Sequence, residues 1–288
     1  MTRRSWVGWQ FVSPFLAVFA LVFLAPIIYS LYLSLYRTKL IGGTSFVGME
    51  NYTKALEDPQ FWSAVGRVSL FLVIQVPIML FLALLVALAI DSGRLYGKAF
   101  FRISIFLPYA VPAVVATLMW GFLYGNRFGL VASINDTFGI TLPDLFSPDW
   151  ILASIGNIVT WEFVGYNMLI LYSALRVVDT SLYEAAAIDG AGQFRIIRAI
   201  KLPALRGPLF VVTIWSIIGS FQLFTEPIVL RTLAPNSIIT YFSPNYYAWQ
   251  LAVGGQQFNY SATVAVVMGV LTMVVAYLVQ SRAVRKAR

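Results

Sequence analysis

Apolar residues along the chain fall into six long runs separated by shorter polar stretches. The runs cover roughly residues 11–36, 68–90, 101–124, 151–175, 208–230 and 261–281, and they carry almost no charge. At about 1.5 Å per residue, some 20 apolar residues in a helix cross a hydrocarbon core of about 30 Å. The pattern predicts an all-α membrane protein with six transmembrane helices, which form a single domain over residues 1–288.

Composition supports a membrane protein and argues against most kinds of catalysis. Hydrophobic residues make up 59% of the chain and charged residues 11%, whereas soluble domains have about 45–50% and about 25%. The chain has no Cys and no His, which removes disulfides, thiolate nucleophiles and the commonest general base and metal ligand. Catalysis would then rest largely on carboxylates or be absent, and we predict no catalytic residues and no metal site.

The distribution of Lys and Arg predicts the orientation. If both termini are cytoplasmic, the outer loops hold six of the 20 basic residues: Arg37, Lys39, Lys54, Arg67, Arg127 and Arg231. The others then lie on or beside the inner side: Arg3, Arg4, Arg94, Lys98, Arg102, Arg176, Arg195, Arg198, Lys201, Arg206, Arg282, Arg285, Lys286 and Arg288. This bias follows the positive-inside rule. The net charge of +8 is thus explained by topology, and no nucleic-acid partner is predicted.

The largest inner loop, residues 176–207 between spans four and five, has the clearest local pattern. Asp179, Thr180 and Ser181 are candidate N-caps for a short helix that contains an alanine run. Gly190 and Gly192 can end that helix, and Pro203 is expected to stop a second one. A helix, a turn and another helix on a membrane protein are suited to docking in a groove on a soluble partner.

The same loop resembles a known family, the membrane permeases of binding-protein-dependent ABC importers. The family signature is Glu-Ala-Ala, three residues, Gly, nine residues, then Ile-x-Leu-Pro, and it is matched here by Glu184, Ala185, Ala186, Gly190, Ile200, Leu202 and Pro203. The presence of Asp189 just before Gly190 resembles the signature of the carbohydrate-uptake branch of the family. Further segments resemble that branch: 46–52, 101–102, 107–109 and 165–168. One departure lies at 233–236, where the family often has Gly-Gly-Pro.

The resemblance implies a heteromeric, ATP-driven importer of sugars or oligosaccharides in the plasma (inner) membrane of a prokaryote. This chain would be one of two permease subunits and would work with two ATPase subunits and an extracytoplasmic solute-binding protein. Residues Glu184 to Pro203, including Asp189, would form the coupling helix that fits a cleft of an ATPase subunit. The chain would not be an enzyme and would bind no cofactor, because ATP and Mg²⁺ would belong to the partner ATPase. The alternative for the loop is an amphipathic segment lying on the lipid surface.

Carboxylates inside predicted spans call for a reason, because a charge at the bilayer centre costs about 2.5 to 3.5 kcal/mol on insertion scales. On a helical wheel Trp215, Gln222 and Glu226 fall within about 40° of one another. An indole face beside hydrogen-bonding groups suits a sugar, whose C–H face is apolar and whose hydroxyls need partners. The stripe is therefore a predicted substrate-pathway surface, although such groups also join helices to one another.

Span four offers a second surface. Glu162 and Tyr166 lie about 40° apart on the wheel, and Asn167 lies about 140° from Glu162. We predict that Glu162 and Tyr166 line the pathway and that Asn167 contacts a neighbouring helix, with the reverse assignment left open.

Two other functions compete with an ABC permease. A gradient-driven secondary transporter would use Glu162 or Glu226 as a proton relay, and its uptake by the single chain would be abolished by an uncoupler. An intramembrane hydrolase built on the two carboxylates would form product as a purified chain and lose activity in Glu162→Gln.

Overall fold

A computed structural model describes residues 3–39, 41–93 and 95–287. Arg94 and Arg288 lie outside the described residues, as do the side chains of Arg3, Arg4, Arg282, Arg285 and Lys286. The chain divides into two compact units, each described by itself. One comprises the residues up to Trp62 together with Tyr247–Leu271, and the other comprises Ser63–Tyr246 with the residues from Thr272 onward.

The first unit begins with a long helical segment and a β-hairpin. Its elements are α1 (Arg3–Phe19), a π-helical turn (Ala20–Leu24), α2 (Ala25–Ser34), β1 (Tyr36–Lys39), β2 (Gly43–Phe46) and α3 (Glu50–Glu57). The two strands pair antiparallel, with Tyr36 opposite Phe46. Gly42 and Gly43 have φ of +110° and +70°, which side chains other than glycine rarely adopt. The prediction of an all-α protein is therefore wrong at this hairpin, which follows the first predicted span and is favoured by glycines and by β-prone aromatic and Thr residues.

Asn51 ties the start of α3 to the end of α2. Its side chain is buried, and its amide nitrogen donates hydrogen bonds of 2.8 Å to the carbonyl oxygens of Ser34 and Tyr36. Carbonyls at the end of a helix have no hydrogen-bond partner within the helix. Asn51 therefore satisfies them and fixes the direction in which the chain enters the hairpin.

Asp58 links the two sequence segments of the first unit, the residues up to Trp62 and Tyr247–Leu271. One carboxylate oxygen accepts a 2.8 Å hydrogen bond from the backbone N–H of Gln60, at the start of α4 (Pro59–Asp91). The other oxygen accepts hydrogen bonds from the hydroxyls of Tyr247 and Tyr260, at 2.6 and 2.7 Å. Burial raises the pKa of this carboxyl, but the hydrogen bonds outweigh burial and hold the pKa below its ordinary value.

The third predicted span, residues 101–124, is not one straight helix. It consists of α5 (Lys98–Phe106), a 3-10 turn (Leu107–Ala110) and α6 (Ala113–Leu123), with a bend of 99°. The break falls at Val111 and Pro112, which have extended ψ angles of 130° and 132°. Proline disfavours helical geometry in the residue before it and has no N–H to donate. The third predicted span is therefore a bent helix pair, which counts as one span if both helices cross the membrane together.

The remaining elements follow in order. They are α7 (Leu130–Phe138), α8 (Ile151–Leu175), α9 (Thr180–Ile188), α10 (Gln193–Ile196), a π-helical turn (Ile197–Lys201), α11 (Leu202–Ala204), α12 (Arg206–Phe221), α13 (Thr225–Leu230), α14 (Pro244–Trp249), a π-helical turn (Gln250–Gly254) and α15 (Phe258–Ala287). The fourth predicted span coincides with α8. The fifth, predicted as one helix over 208–230, is interrupted at residues 222–224 between α12 and α13.

The core of the second unit forms where α4, α8 and α12 meet. Ala83, Met168, Leu171 and Val212 are fully buried in one cluster. Alanine on α4 allows the neighbouring helix to approach closely, as small residues do in membrane helix packing. By length and composition, five helices of the described residues are able to cross a membrane, and the bent α5–α6 pair makes six if it is counted as one span.

Candidate functional site

A cavity of about 550 Å³ lies in the second unit, between α4, α8, α12 and α13. Its wall combines aromatic rings with amide, hydroxyl and carboxyl groups, as polar ligands require. The polar and aromatic members are Phe71, Gln75, Tyr109, Phe163, Tyr166, Asn167, Trp215, Ser216, Ser220, Gln222, Phe224, Thr225 and Glu226.

The predicted residues of the fifth span meet on this cavity, although not on one helix face. Trp215 projects from α12 with 62% of its surface exposed, and Gln222 caps the end of α12. Glu226 belongs to the first turn of α13 and is 7% exposed. Because the chain is non-helical at residues 222–224, the helical wheel that grouped the three residues does not apply. They are brought together by the break itself.

The residues of the fourth span are divided differently from the prediction. Tyr166 lines the cavity, and so does Asn167, whose amide nitrogen lies 3.6 Å from the sulfur of Met79 on α4. Asn167 thus contacts a neighbouring helix, as predicted, and also reaches the cavity wall. Glu162 is 3% exposed and is absent from the wall. One of its carboxylate oxygens has no hydrogen-bond partner among the described residues.

The sequence reasoning missed several cavity residues, among them Tyr109 and Gln75. Tyr109, in the 3-10 turn of the third span, stacks on Tyr166 with ring centroids 4.7 Å apart. Gln75 is buried on α4, and its amide nitrogen donates a 3.2 Å hydrogen bond to Thr160. Gln75 had a usable signal, because a polar side chain inside an apolar span is a candidate functional residue. Tyr109 was marked only by the family resemblance of residues 107–109, because its position on the cavity wall depends on the bend after α5.

The predicted helix, turn and helix of the 176–207 loop are present. Asp179 caps α9, with its carboxylate accepting a 2.9 Å hydrogen bond from the N–H of Ser181. That hydrogen bond lowers the pKa of Asp179. The cap predicted at residues 179–181 is therefore confirmed.

Gly190 closes α9 in a Schellman turn. Its φ is +71°, its N–H donates to the carbonyl of Ala187, and the N–H of Ala191 donates to the carbonyl of Ala186. These two hydrogen bonds satisfy carbonyls at the helix end. They require a residue with left-handed backbone conformation, usually glycine, just past the end of the helix. The spacing from the alanines to Gly190 in the signature is thus the spacing of a helix terminus.

Pro203 does not stop the second helix, which corrects the prediction. Helical backbone continues from α10 through a π-helical turn at Ile197–Lys201 into α11, where Pro203 occupies a first-turn position. Because the helical backbone is continuous, Pro203 removes one intrahelical hydrogen bond, and the π-helical turn just before it is the local departure from regular α-helix. The loop also exposes apolar side chains on either side of Gly190: Ile188 is 87% exposed and Phe194 is 76% exposed.

Metal coordination is not indicated. Within residues 3–39, 41–93 and 95–287, no group of three or more His, Cys, Asp or Glu side chains is placed to hold a metal ion. The expectation that this chain binds no cofactor stays a prediction.

The helical spans and the cavity among them define a multi-pass α-helical membrane protein. Residues 59–288 match the family described as binding-protein-dependent transport system inner membrane component. The chain belongs to this family, and the resemblance drawn from the signature at Glu184–Pro203 is confirmed.

Similar proteins come from bacterial transport systems. The lactose transport system permease protein LacF of Rhizobium radiobacter is 33% identical, over 94% of this chain and 92% of its own length. The diacetylchitobiose uptake system permease protein NgcF of Streptomyces coelicolor is 32% identical, over 82% of this chain and 70% of its own. The sulfoquinovosyl glycerol transport system permease protein SmoG of Agrobacterium fabrum is 30% identical, over 92% and 86%.

The fold is also found in a solved transporter. A chain in the crystal structure of a bacterial ABC transporter involved in the import of the acidic polysaccharide alginate superimposes with a TM-score of 0.86, at 18% identity, over 99% of this chain and 98% of the other. A second structure of an alginate ABC transporter, in complex with an alginate pentasaccharide-bound periplasmic protein, matches with the same TM-score. At this identity the likeness establishes the fold alone.

Proposed function

We propose that this chain is a permease subunit of an ATP-driven importer of sugars or oligosaccharides in the inner membrane of a prokaryote. The observation that carries the proposal is the family membership of residues 59–288 together with relatives whose names specify lactose, diacetylchitobiose and sulfoquinovosyl glycerol transport. Both termini are cytoplasmic in this proposal, on the strength of the Lys and Arg distribution.

The cavity of the second unit is the proposed substrate surface. Trp215 and the stacked Tyr109 and Tyr166 offer ring faces for the C–H side of a sugar, and Gln222 and Glu226 offer hydrogen-bond partners for its hydroxyls. A buried carboxylate is a strong acceptor for hydroxyl donors. Glu162, which lies off the cavity wall, is given no part in this surface.

The loop from Glu184 to Pro203 is the proposed contact with an ATPase subunit. Its exposed Ile188 and Phe194 flank the turn at Gly190, and apolar side chains of this size gain from burial in a partner's groove. Closure of a pair of ATPase subunits on ATP would then displace the loop and shift the spans between two states. A second permease subunit and a solute-binding protein complete the assembly.

The test is co-expression with the products of the neighbouring genes, affinity purification in detergent and identification of the copurifying chains. An ATPase and a second permease are expected. The purified complex in liposomes is supplied with the binding protein and a radiolabelled oligosaccharide. It should transport label only when ATP is present on the side of the membrane that holds the ATPase subunits. Accumulation that needs no ATPase and stops with an uncoupler would instead establish the gradient-driven transporter, which the family membership does not favour.

A further inference from the structure

An ion pair in the second unit links the predicted coupling loop to the end of α4. The ammonium nitrogen of Lys201 lies 2.5 Å from a carboxylate oxygen of Asp91, the last residue of α4. The two side chains are only 7% and 10% exposed. Salt screens such a shielded pair only weakly. If one partner is removed, the charge of the other is left buried without compensation from water.

The backbone of the loop is shaped to make this contact. Lys201 is the final residue of the π-helical turn Ile197–Lys201, and such a turn shifts the facing of all later residues relative to a regular α-helix. Ile196 before the turn and Leu205 after it are buried, at 7% and 0% exposure. Arg198, within the turn, is exposed. The turn therefore directs Lys201 inward, together with the apolar anchors, and leaves Arg198 outside.

Tyr183 adds the first loop helix to the same cluster. Its ring lies 5.5 Å from the ammonium of Lys201, within cation–π range. Burial and the charge of Asp91 raise the pKa of the Tyr183 hydroxyl. Both helices of the loop thus contact one charged pair at the end of α4.

The position of the pair gives it a mechanical consequence. The loop is continuous in sequence with α12, so its displacement reaches α12 directly. It has no covalent connection to α4, yet α4 carries Gln75 and Met79 on the cavity wall. We propose that the Asp91–Lys201 ion pair is a positioning joint that makes α4 move with the coupling loop. This inference rests on the proposed function of the loop.

The experiment uses the complete importer in liposomes, with ATP hydrolysis and uptake measured on the same sample. The variants are Asp91→Asn, Lys201→Gln, the exchanged pair Asp91→Lys/Lys201→Asp, and Arg127→Gln as the control for loss of an exposed charge outside the coupling loop. In the single variants we expect the ATPase to copurify normally and the sugar transported per ATP to fall about tenfold. The control should be unchanged, and the exchanged pair should recover to within about threefold of the unmodified importer.

A thiol variant keeps the test decisive if single variants do not accumulate. The chain contains no cysteine, so Asp91→Cys/Lys201→Cys introduces the only two thiols in this subunit. A reducible bifunctional thiol reagent should restore transport per ATP in this variant, and reductant should abolish the gain. Unchanged transport per ATP in both single variants, or cross-linking that lowers transport further, would overturn the joint. Failure of the unmodified chain to copurify with an ATPase would instead overturn the proposed function.

Discussion

Gly165 lies directly against the backbone of Ile105. A Cβ atom added to Gly165 would overlap the carbonyl oxygen of Ile105 and would come within 2.8 Å of the Cα of Phe106. Gly165 therefore lets α8 approach the end of α5, at the point where the third span bends. The approach also places Tyr166 beside Tyr109, whose rings stack on the cavity wall.

Gly165→Ala should consequently be strongly destabilising. Backbone atoms cannot move aside as a flexible side chain does, so the cost should reach or exceed the usual overpacking range of about 1–3 kcal/mol. Gly156→Ala on the same helix is the matched control, because its Cβ would meet only Gln75 and Phe71 side chains at 3.5 Å or more. Thermal unfolding of the purified chain in detergent should show a lower Tm for the first variant alone. Equal Tm values would contradict the close contact.

The turn at Gly190 permits a test of the loop. Gly190→Val should weaken ATPase binding, because a β-branched residue resists the φ of +71° and would unwind the Schellman turn. Gly192→Val is the control, since Gly192 has an ordinary extended conformation, with φ of −69° and ψ of 164°. Copurified ATPase, measured per mole of this chain, should fall for the first variant and not for the second. Full transport by well-expressed Gly190→Val would refute the coupling role of this turn.

Local chemistry explains which parts of the fold were predictable. Span four was predicted over the observed range of α8, Ile151–Leu175, because a long apolar run without proline leaves a helix as the favourable structure. The cap at Asp179 and the turn at Gly190 followed from short-range hydrogen-bonding rules. Each of these features depends on residues within a few positions of one another.

The interruptions depend on more distant partners. Pro112 favours a kink by its own chemistry, but the 99° bend also requires neighbours that satisfy the freed backbone groups. The break at residues 222–224 contains no proline or glycine, and its local signal is Pro227 in the first turn of α13, whose ring crowds the carbonyl four residues before it. The helical wheel grouped Trp215, Gln222 and Glu226 because it treated residues 208–230 as one continuous helix, which the structure does not show. The roles of the cavity residues stay predictions.

Trp215 should matter for uptake more than for assembly. Its side chain is 62% exposed and lies on the cavity wall, so Trp215→Ala removes ring surface without opening a hole in the core. If the indole binds sugar, the loss of about 1–2 kcal/mol of contact should raise the substrate concentration for half-maximal uptake roughly tenfold. Val211→Ala, at an exposed position of the same helix, should change it little. Loss of the partner subunits from Trp215→Ala would identify Trp215 as a packing residue.

Asp58 should make the stability of the first unit fall at acid pH. Because hydrogen bonds lower its pKa in the folded chain, its stabilisation is complete above the ordinary value of 3.8 and is lost as the pH falls through the lower folded value. Asp58→Asn should remove that dependence and cost about 1.5–3 kcal/mol at neutral pH, the usual range for hydrogen bonds to a charged group. Glu57→Gln, at the exposed neighbouring position, is the control. Thermal unfolding followed from neutral pH to below pH 3.8 should give curves for the unmodified chain and Asp58→Asn that converge on acidification. Parallel curves would show that the two tyrosine hydroxyls do not depend on the Asp58 charge, and the carboxylate would then act only as a cap for α4.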